Sequence, residues 1–196
     1  QETAPDGTQS ASELTLGTAG NHIYAVVSVT AGAEYTFSWY IKAGTATEQI
    51  YAFYDQTNFQ FVDRAGYTIT DVEDVGNSWY RMTKTVTAPA GCTQLRAYPL
   101  RTSDNSGEVA ATLGTSFLWG AHVYRSDLGG MAQVPGAATG LEYYVPTNGS
   151  AEYLPRVGHH VYNGSTWVNE GLLIESEART NLVTYSRAVG GTNWID

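Results

Sequence analysis

Hydrophobic and polar residues alternate with a period of two along much of this chain. The alternation is clear in residues 23–29 and sharper in residues 34–42. Successive side chains of a β-strand point to opposite faces of the sheet, so this alternation predicts strands with one hydrophobic face. In the second segment Tyr40 falls on the outward face. The predicted inward residues of that segment are Tyr35, Phe37, Trp39 and Ile41.

Five further segments have a strand-like composition and are separated by clusters of Gly, Asn, Asp and Pro. They span residues 48–55, 59–63, 79–87, 94–101 and 116–125. Short strands at this spacing are typical of two packed antiparallel sheets and not of a βαβ fold. The sequence therefore predicts an all-β protein, an antiparallel β-sandwich in which any helix is short.

An irregular C-terminal extension is predicted beyond the sandwich. Residues 127–147 are rich in Gly, Pro, Ala and Thr, which is typical of a segment that crosses a protein surface without regular structure. Residues 160–168 predict a hairpin that turns at Asn163 and Gly164. The predicted parts are a β-sandwich (1–125), an irregular crossing segment with a hairpin (126–170) and a linking segment (171–196).

Composition and charge exclude several classes of partner. The formal net charge of −9 and the scattered Lys and Arg residues would repel a phosphate backbone, so nucleic acid is not expected. No apolar run is long enough to span a bilayer, and no membrane contact is expected. The single cysteine, Cys92, excludes an internal disulfide framework and a metal site built from several thiolates. No cofactor is predicted.

Three phrases, in this order along the chain, resemble a known family. They are Tyr-Thr-Phe-Ser-Trp-Tyr-Ile-Lys-Ala-Gly at 35–44, Val-Gly-Asn-Ser-Trp-Tyr-Arg at 75–81 and Phe-Leu-Trp-Gly-Ala at 117–121. The set resembles the carbohydrate-binding-module-like jelly roll that recurs in bacteriophage tail fibre and appendage proteins. The resemblance implies a jelly-roll sandwich in a virion, outside the cell, with other virion proteins as partners. One assembly that such a module can form is a homotrimer.

Three later phrases look like the junction between such a module and neighbouring parts of a virion protein. They are Tyr-Val-Pro-Thr at 144–147, Gly-Leu-Leu-Ile-Glu at 171–175 and Ala-Arg-Thr-Asn-Leu at 178–182. Related repeats open with the last phrase, whereas this chain carries it near its end. Because an unpaired sheet edge invites another strand, we expect residues 181–186 to pair with the sandwich, in the same chain or in a neighbour.

Aromatic and basic residues on the outward faces suggest sugar binding. Flat aromatic faces meet the C–H groups of a sugar ring, and planar side chains supply fixed donors and acceptors for its hydroxyls. We favour Tyr80 and Met82 as the inward residues of strand 79–87, which leaves Arg81 outward. The predicted ligand-binding residues on one polar sheet surface are Tyr40, Arg81, Arg96 and Tyr98. A second set, on an aromatic hairpin, comprises Tyr51 and Phe53, with Phe59 and Phe61. The alternative is a subunit contact or a solvated surface.

Acidic residues occur in two places, where their positions suggest a calcium site and a pair of catalytic carboxylates. Asp71, Glu73 and Asp74 offer the oxygen ligands that calcium prefers, but their spacing matches no defined metal loop, and a solvated acidic loop is the alternative. Glu175 and Glu177 would share one side of a strand, as a glycosidase carboxylate pair does, yet they lie in the linking segment, away from the aromatic groups. No catalytic constellation is present in the sequence, so we predict that the protein is not an enzyme.

The sequence thus predicts a non-enzymatic virion module that binds host-surface or extracellular glycans. Two alternatives stay open at this point. A purely structural appendage or oligomerisation module would use the outward face for subunit contacts. An accessory domain of a polysaccharide-degrading tailspike would have the same sequence features, because its catalytic residues would lie outside this chain.

Overall fold

β-Strands form almost all of the regular structure in the described part of the chain. The computed structural model describes residues 1–17, 21–102, 111–127, 141 and 144, and five short strands after residue 150. The first nine strands are β1 (Ser12–Leu16), β2 (His22–Ser28), β3 (Glu34–Ala43), β4 (Glu48–Asp55), β5 (Gln60–Thr68), β6 (Glu73–Gly76), β7 (Trp79–Thr87), β8 (Gln94–Arg101) and β9 (Gly114–Arg125). A 3₁₀ turn, Ile69–Asp71, separates β5 from β6.

The later strands are short, and two pairs of them form ladders of their own. They are β10 (Tyr153–Leu154), β11 (Arg156–Tyr162), β12 (Trp167–Leu173), β13 (Arg179–Thr180) and β14 (Trp194–Ile195). β10 pairs with β13, and β11 pairs with β12. The β11–β12 ladder agrees with the predicted hairpin, whereas its predicted turn at Asn163 and Gly164 lies outside the described residues.

Two five-stranded antiparallel sheets pack face to face. Sheet I has the strand order β1-β9-β3-β7-β6, and sheet II has the order β14-β2-β8-β4-β5. Neighbouring strands in both sheets run antiparallel. The predicted all-β antiparallel sandwich is therefore confirmed.

The main core lies between the sheets and follows the alternation in the sequence. Its residues on β3 are the predicted ones, Tyr35, Phe37, Trp39 and Ile41. Its residues from sheet II include Ile23, Val27, Tyr51 and Phe53. The rings of Phe37 and Phe53 lie 4.7 Å apart across the two sheets. Met82 is buried here with Tyr80 packed against it, so the predicted orientation of β7 is confirmed. Burial of these large side chains supplies most of the favourable free energy of folding.

An N-terminal strap, residues 2–11, covers the outer face of sheet I. The indole nitrogens of Trp79 and Trp119 donate hydrogen bonds to the strap, to the carbonyl oxygen of Thr3 at 2.9 Å and to Oγ of Ser10 at 3.0 Å. Trp119 is fully buried, but it lies under the strap and not between the sheets. The members of this second buried cluster are Ala4, Ala11, Tyr40, Trp79, Trp119, Leu141 and Tyr144.

A β-bulge in β9 brings Tyr40 and Trp119 together on this face. Gly120 has a φ of 63°, and the pairing register of β3 and β9 shifts beside it. A Cβ atom at this position would lie 2.8 Å from Cδ2 of Tyr40, so the close approach requires glycine. The rings of Tyr40 and Trp119 lie 5.3 Å apart, and the ring of Tyr144 lies 4.5 Å from that of Trp119.

The strands that the sequence did not predict lie at sheet edges. β1 and β6 are the two edge strands of sheet I, and β5, an edge strand of sheet II, continues to Thr68, beyond its predicted end at Asp63. An edge strand is paired on one side alone and is less buried, so its sequence need not alternate. Few of the residues in β1, β5 and β6 are fully buried.

The second sheet is extended at one edge by the same chain. β14 pairs antiparallel with β2, so that Trp194 lies opposite Ala25 and Ile195 lies opposite Tyr24. Residues 181–186, which were expected to supply such a strand, lie outside the described residues. That strand and the division of the chain at residues 125 and 170 stay predictions.

Candidate functional site

The outer face of sheet II carries a cluster of aromatic rings and guanidinium groups, the ring-and-arginine face. Its residues come from β2, β4, β5 and β8: His22, Tyr24, Tyr54, Phe61, Arg64, Arg96, Tyr98 and Arg101. A depression of about 540 Å³ lies on this face. Most of the face lines it, together with Gln56 and Phe59 of the β4–β5 turn.

The rings on this face contact one another across neighbouring strands. Tyr24 on β2 and Tyr98 on β8 have ring centroids 5.0 Å apart, and Tyr54 on β4 and Phe61 on β5 have centroids 5.1 Å apart. His22 lies 5.7 Å from Tyr24 and 5.5 Å from Tyr98. These are ordinary distances for favourable aromatic pairs, which fix the positions of the rings before any ligand arrives.

Guanidinium groups fill the spaces between these rings. That of Arg96 lies 4.9 Å from the ring centroid of Tyr24 and 5.9 Å from that of Tyr54. That of Arg101 lies 4.9 Å from the ring of Tyr98 and 5.1 Å from that of Phe61. Each such contact is worth about 0.5–1 kcal/mol at a surface. Both planar cations are therefore held in place by side chains of the same sheet face.

Arg96 has the best defined surroundings of the cations on this face. Its Nε donates a hydrogen bond of 3.0 Å to Oε1 of Gln56. The nearby hydroxyl of Tyr98 raises the pKa of Arg96 and outweighs the opposing effect of burial. The guanidinium therefore remains charged, and its five N–H donors exceed what the bonds to Gln56 and Tyr98 require.

The β4–β5 turn presents an exposed aromatic ring beside the depression. The carboxylate of Asp55 accepts hydrogen bonds from the backbone nitrogens of Thr57 at 2.9 Å and Asn58 at 3.0 Å, and from Nδ2 of Asn58 at 2.6 Å. Phe59 follows with a φ of 56° and is 77% exposed. A bulky residue with positive φ is uncommon and persists where the surrounding structure imposes it. The turn thus holds Phe59 out in solvent.

Burial and hydrogen bonding act in opposite directions on Asp55. Burial alone would raise the pKa of this carboxyl group. The hydrogen bonds from Asn58, with those from Cys92 and Thr57, outweigh burial and hold the pKa below its ordinary value. The carboxylate is therefore charged at neutral pH, as the turn requires.

The prediction of a single polar surface with Tyr40, Arg81, Arg96 and Tyr98 is wrong. Tyr40 and Arg81 lie on β3 and β7 of sheet I, whereas Arg96 and Tyr98 lie on β8 of sheet II. The outward sides of two stacked sheets face opposite directions, so the two pairs cannot share a surface. Tyr40 does point outward, but it is fully buried beneath Trp119 and Tyr144. Arg96 and Tyr98 are the predicted residues that the structure does bring together.

The second predicted set also needs correction. Tyr51 and Phe53 point into the main core, because alternation along β4 turns Ala52 and Tyr54 outward. The hydroxyl of Tyr51 donates a hydrogen bond of 3.0 Å to Oδ2 of Asp63. Burial, followed by the contact with Asp63, raises the pKa of Tyr51 to about 12. Of the four predicted hairpin aromatics, Phe59 and Phe61 do line the depression, together with Tyr54, which was not predicted.

A second depression, the edge cleft, opens between the sheets beside β5 and β7. Its volume is about 730 Å³, and its lining mixes carboxylates with cations: Glu48, Asp71, Glu73, Arg81 and Lys84. Gln49 lies at its base, where Nε2 donates to Oγ of Ser116 at 3.0 Å and Oε1 has no hydrogen-bond partner within the described part of the chain. Its aromatic residues, Tyr51 and Tyr67, make hydrogen bonds within the sandwich. The cleft therefore offers a ligand fewer ring faces than the ring-and-arginine face does.

The acidic residues predicted to hold calcium do not form a cluster. Asp71 ends the 3₁₀ turn, and Glu73 and Asp74 are neighbours on β6, so the side chains of these two point to opposite faces. Oδ1 of Asp74 accepts a hydrogen bond of 2.8 Å from the backbone nitrogen of Gly76. Among the described residues no group of three or more His, Cys, Asp or Glu side chains is arranged to hold a metal ion. This arrangement gives no reason to place calcium there.

Sequence reasoning missed five members of the ring-and-arginine face, namely His22, Tyr24, Tyr54, Arg64 and Arg101. The signal for two of them was available. Once Ile23 and Tyr51 are assigned inward by alternation, Tyr24 and Tyr54 lie on strands whose outward sides belong to the same sheet. The missing information was which strands are neighbours, and the pattern of a single strand does not contain it.

Comparison with known proteins adds no assignment. No protein-family model and no curated protein sequence matches this chain. The described residues also include no helix of the length and apolar character needed to cross a membrane. Glu175 and Glu177 lie outside the described residues. The candidate site therefore has to be judged from its own chemistry.

Proposed function

We propose that this protein is a non-enzymatic glycan-binding module and that the ring-and-arginine face contacts the sugar. The observation that carries the proposal is the arrangement of guanidinium groups between aromatic rings on the outward side of one sheet, next to the exposed ring of Phe59. Rings of this kind pack against the C–H faces of a sugar, and guanidinium groups donate to its hydroxyls in fixed directions.

Rigidity supports the proposal. The rings of Tyr24 and Tyr98 contact each other, Gln56 holds Arg96, and buried Asp55 fixes the turn before Phe59. A binding surface that is ordered in advance loses little conformational entropy when the ligand binds. Sugars depend on this saving, because each of their contacts, through a hydroxyl group or a C–H face, is weak.

A virion setting remains part of the proposal. It is supported by the phrases that resemble phage tail fibre and appendage repeats, and residues 35–44, 75–81 and 117–121 lie on strands of sheet I that are hydrogen-bonded neighbours. The chain also alternates between the two sheets from β1 to β4 and again from β7 to β9, as strands of a jelly roll do. We accordingly propose host-surface or extracellular glycans as ligands and other virion proteins as partners.

The proposal is tested by binding of the purified chain to a glycan array and by affinity electrophoresis in gels that contain polysaccharide. Phe59→Ala and Tyr54→Ala should weaken binding at least about fivefold, because each removes a ring from the face. Leu113→Ala is the matched control, since Leu113 is also an exposed apolar residue but does not line the depression.

Two results would count against glycan binding. The first is the absence of binding to every glycan on the array. The second is binding that Phe59→Ala and Tyr54→Ala leave unchanged. If light scattering then showed an oligomer that these two variants dissociate, the face would be a subunit interface, which is the structural alternative.

A further inference from the structure

We infer that the glycan bound at the ring-and-arginine face is acidic, and that Arg96 pairs with its carboxylate, sulfate or phosphate group. This inference rests on the proposed function and specifies its ligand. The first argument for it is the difference between the charge of the whole chain and the charge of this face. The chain carries 19 Asp and Glu residues against 10 Lys and Arg residues. On this face, however, Arg64, Arg96 and Arg101 lie together.

The lining of the depression shows the same contrast. Its described members are His22, Tyr54, Gln56, Phe59, Phe61, Arg96, Tyr98 and Arg101, and none of these is an Asp or a Glu. The carboxylate nearest in sequence, Asp55, is buried and accepts hydrogen bonds from its own turn. An anion entering the depression therefore meets positive charge without a carboxylate among these lining residues to repel it.

Arg96 is the residue best placed to receive the anion. In the described part of the chain it makes no ion pair with an Asp or a Glu, and its partners Gln56 and Tyr98 carry no carboxylate. Its guanidinium is half-buried between the rings of Tyr24 and Tyr54, where charges interact more strongly than in water. A planar guanidinium binds carboxylate, sulfate or phosphate through two parallel hydrogen bonds.

A neutral sugar would bind at this site with lower affinity than an acidic one. It would displace water from a half-buried cation and return only hydrogen bonds to hydroxyl groups, which are weaker than bonds between ions. The edge cleft provides an internal contrast, because three carboxylates are among its lining residues. An acidic ligand is therefore expected at the ring-and-arginine face and not at the edge cleft.

The experiment compares polysaccharides that differ in charge alone, using the whole chain in affinity electrophoresis and titration calorimetry. The pairs are polygalacturonate with its fully methyl-esterified form, and dextran sulfate with dextran. We expect the acidic member of at least one pair to bind about tenfold or more tightly than its neutral partner, with affinity that falls as salt rises.

Variants separate a specific ion pair from general attraction to a polyanion. Arg96→Gln should weaken binding of the acidic polysaccharide about tenfold. Arg96→Lys should restore only part of it, since lysine keeps the charge but loses the planar fork. Arg125→Gln is the matched control, because Arg125 is an arginine of sheet I. Circular dichroism of each variant shows whether it is folded.

The outcomes distinguish this inference from the proposed function. Equal binding of neutral and acidic members would overturn the inference and leave glycan binding intact. Acidic binding that Arg96→Gln and Arg125→Gln weaken equally would also overturn it, because the attraction would then be a property of the whole surface. Absence of binding to all four polysaccharides and to the glycan array would remove the proposed function itself.

Discussion

The indole nitrogen of Trp79 donates a hydrogen bond of 2.9 Å to the carbonyl oxygen of Thr3. This bond joins the start of β7 to the strap at the beginning of the chain, and Trp79 is almost fully buried as a result. An ion pair also holds the strap, because Nζ of Lys42 donates a hydrogen bond of 3.2 Å to Oε1 of Glu2, the residue next to Thr3. With the bond from Trp119 to Ser10, the strap is thus tied to sheet I through side chains of three strands, β3, β7 and β9.

Replacing Trp79 with phenylalanine tests this attachment. Trp79→Phe keeps an aromatic ring but removes the donor, so the hydrogen bond to the carbonyl oxygen of Thr3 is lost. We expect the free energy of unfolding to fall by about 0.5–1.5 kcal/mol in urea titrations. Limited proteolysis should also cut the strap faster. Tyr124→Phe, a half-buried position on the same sheet, is the control, and equal proteolysis of both variants would contradict the expected role of Trp79.

Gly120 gives a prediction about backbone conformation. Gly120→Ala places a Cβ atom 2.8 Å from Tyr40 at a φ of 63°, and both effects destabilise the fold. Gly32→Ala separates them, because Gly32 has a φ of 79° with nothing within 4 Å of its Cβ position. We expect Gly32→Ala to cost about 1–2 kcal/mol in thermal or urea unfolding and Gly120→Ala to cost clearly more. Equal losses would mean that Tyr40 moves aside without cost.

Asp55 gives a prediction that links stability to binding. Asp55→Asn weakens the hydrogen bonds to Thr57 and Asn58, and we expect a loss of about 1–3 kcal/mol because the site is buried. Asp6→Asn is the control, since Asp6 accepts a similar bond from the backbone nitrogen of Thr8 in an exposed loop. Glycan affinity should fall with Asp55→Asn alone, because the turn carries Phe59.

The pH dependence of Asp55 has a definite sign. Its folded-state pKa lies below the ordinary value of 3.8, so its contribution to stability is complete above that value and is lost as the pH falls through the folded-state pKa. The Asp55→Asn variant should accordingly lose less stability than the parent on acidification. Parallel curves of unfolding free energy against pH would contradict this expectation.

His122 predicts a separate loss of stability on acidification, which begins at a higher pH than the loss from Asp55. Both ring nitrogens are buried and have no hydrogen-bond partner among the described residues, and burial, followed by the charge of Arg81, lowers the pKa to about 3. The unfolded chain, with an ordinary pKa of 6.5, takes up a proton that the folded protein does not. Stability should therefore fall between pH 6.5 and 3, by up to about 1.4 kcal/mol per pH unit from this group.

Comparison of His122→Gln with the parent isolates this contribution. The variant should show a smaller loss in unfolding free energy between about pH 7 and about pH 4.5, because glutamine does not titrate. Asp and Glu residues titrate in both proteins, so the difference between the two curves reports His122. Two curves of equal slope over this interval would show that the imidazole is protonated in the folded protein as readily as in the unfolded chain.

Alternation along single strands was sufficient to predict the sandwich and the inward residues of β3 and β7. It also placed Tyr40 correctly on the outward side. The same information could not show that β3 and β8 belong to different sheets, because pairing joins strands that are far apart in sequence, such as β3 with β9. Arg96 was therefore grouped with Arg81, although the two point away from each other across the whole sandwich.

Alternation also could not predict that the strap covers the outward face of sheet I. The strap has no periodic pattern, and its contacts with Trp79 and Trp119 use a backbone oxygen and a serine hydroxyl, which any short polar segment offers. The positive φ of Phe59 could not be predicted from the sequence either. It depends on the carboxylate of Asp55, whose role becomes visible when the turn is seen in three dimensions.

Coverage of sheet I by the strap makes the molecule one-sided. Tyr40, Trp79 and Trp119 are sealed beneath the strap, whereas Phe59 and the half-buried Arg96 remain accessible on the opposite side. The covered outer face of sheet I and the accessible outer face of sheet II are therefore different surfaces. If neighbouring subunits attach at the covered face, every copy in an assembly presents its ring-and-arginine face to the surroundings in the same orientation.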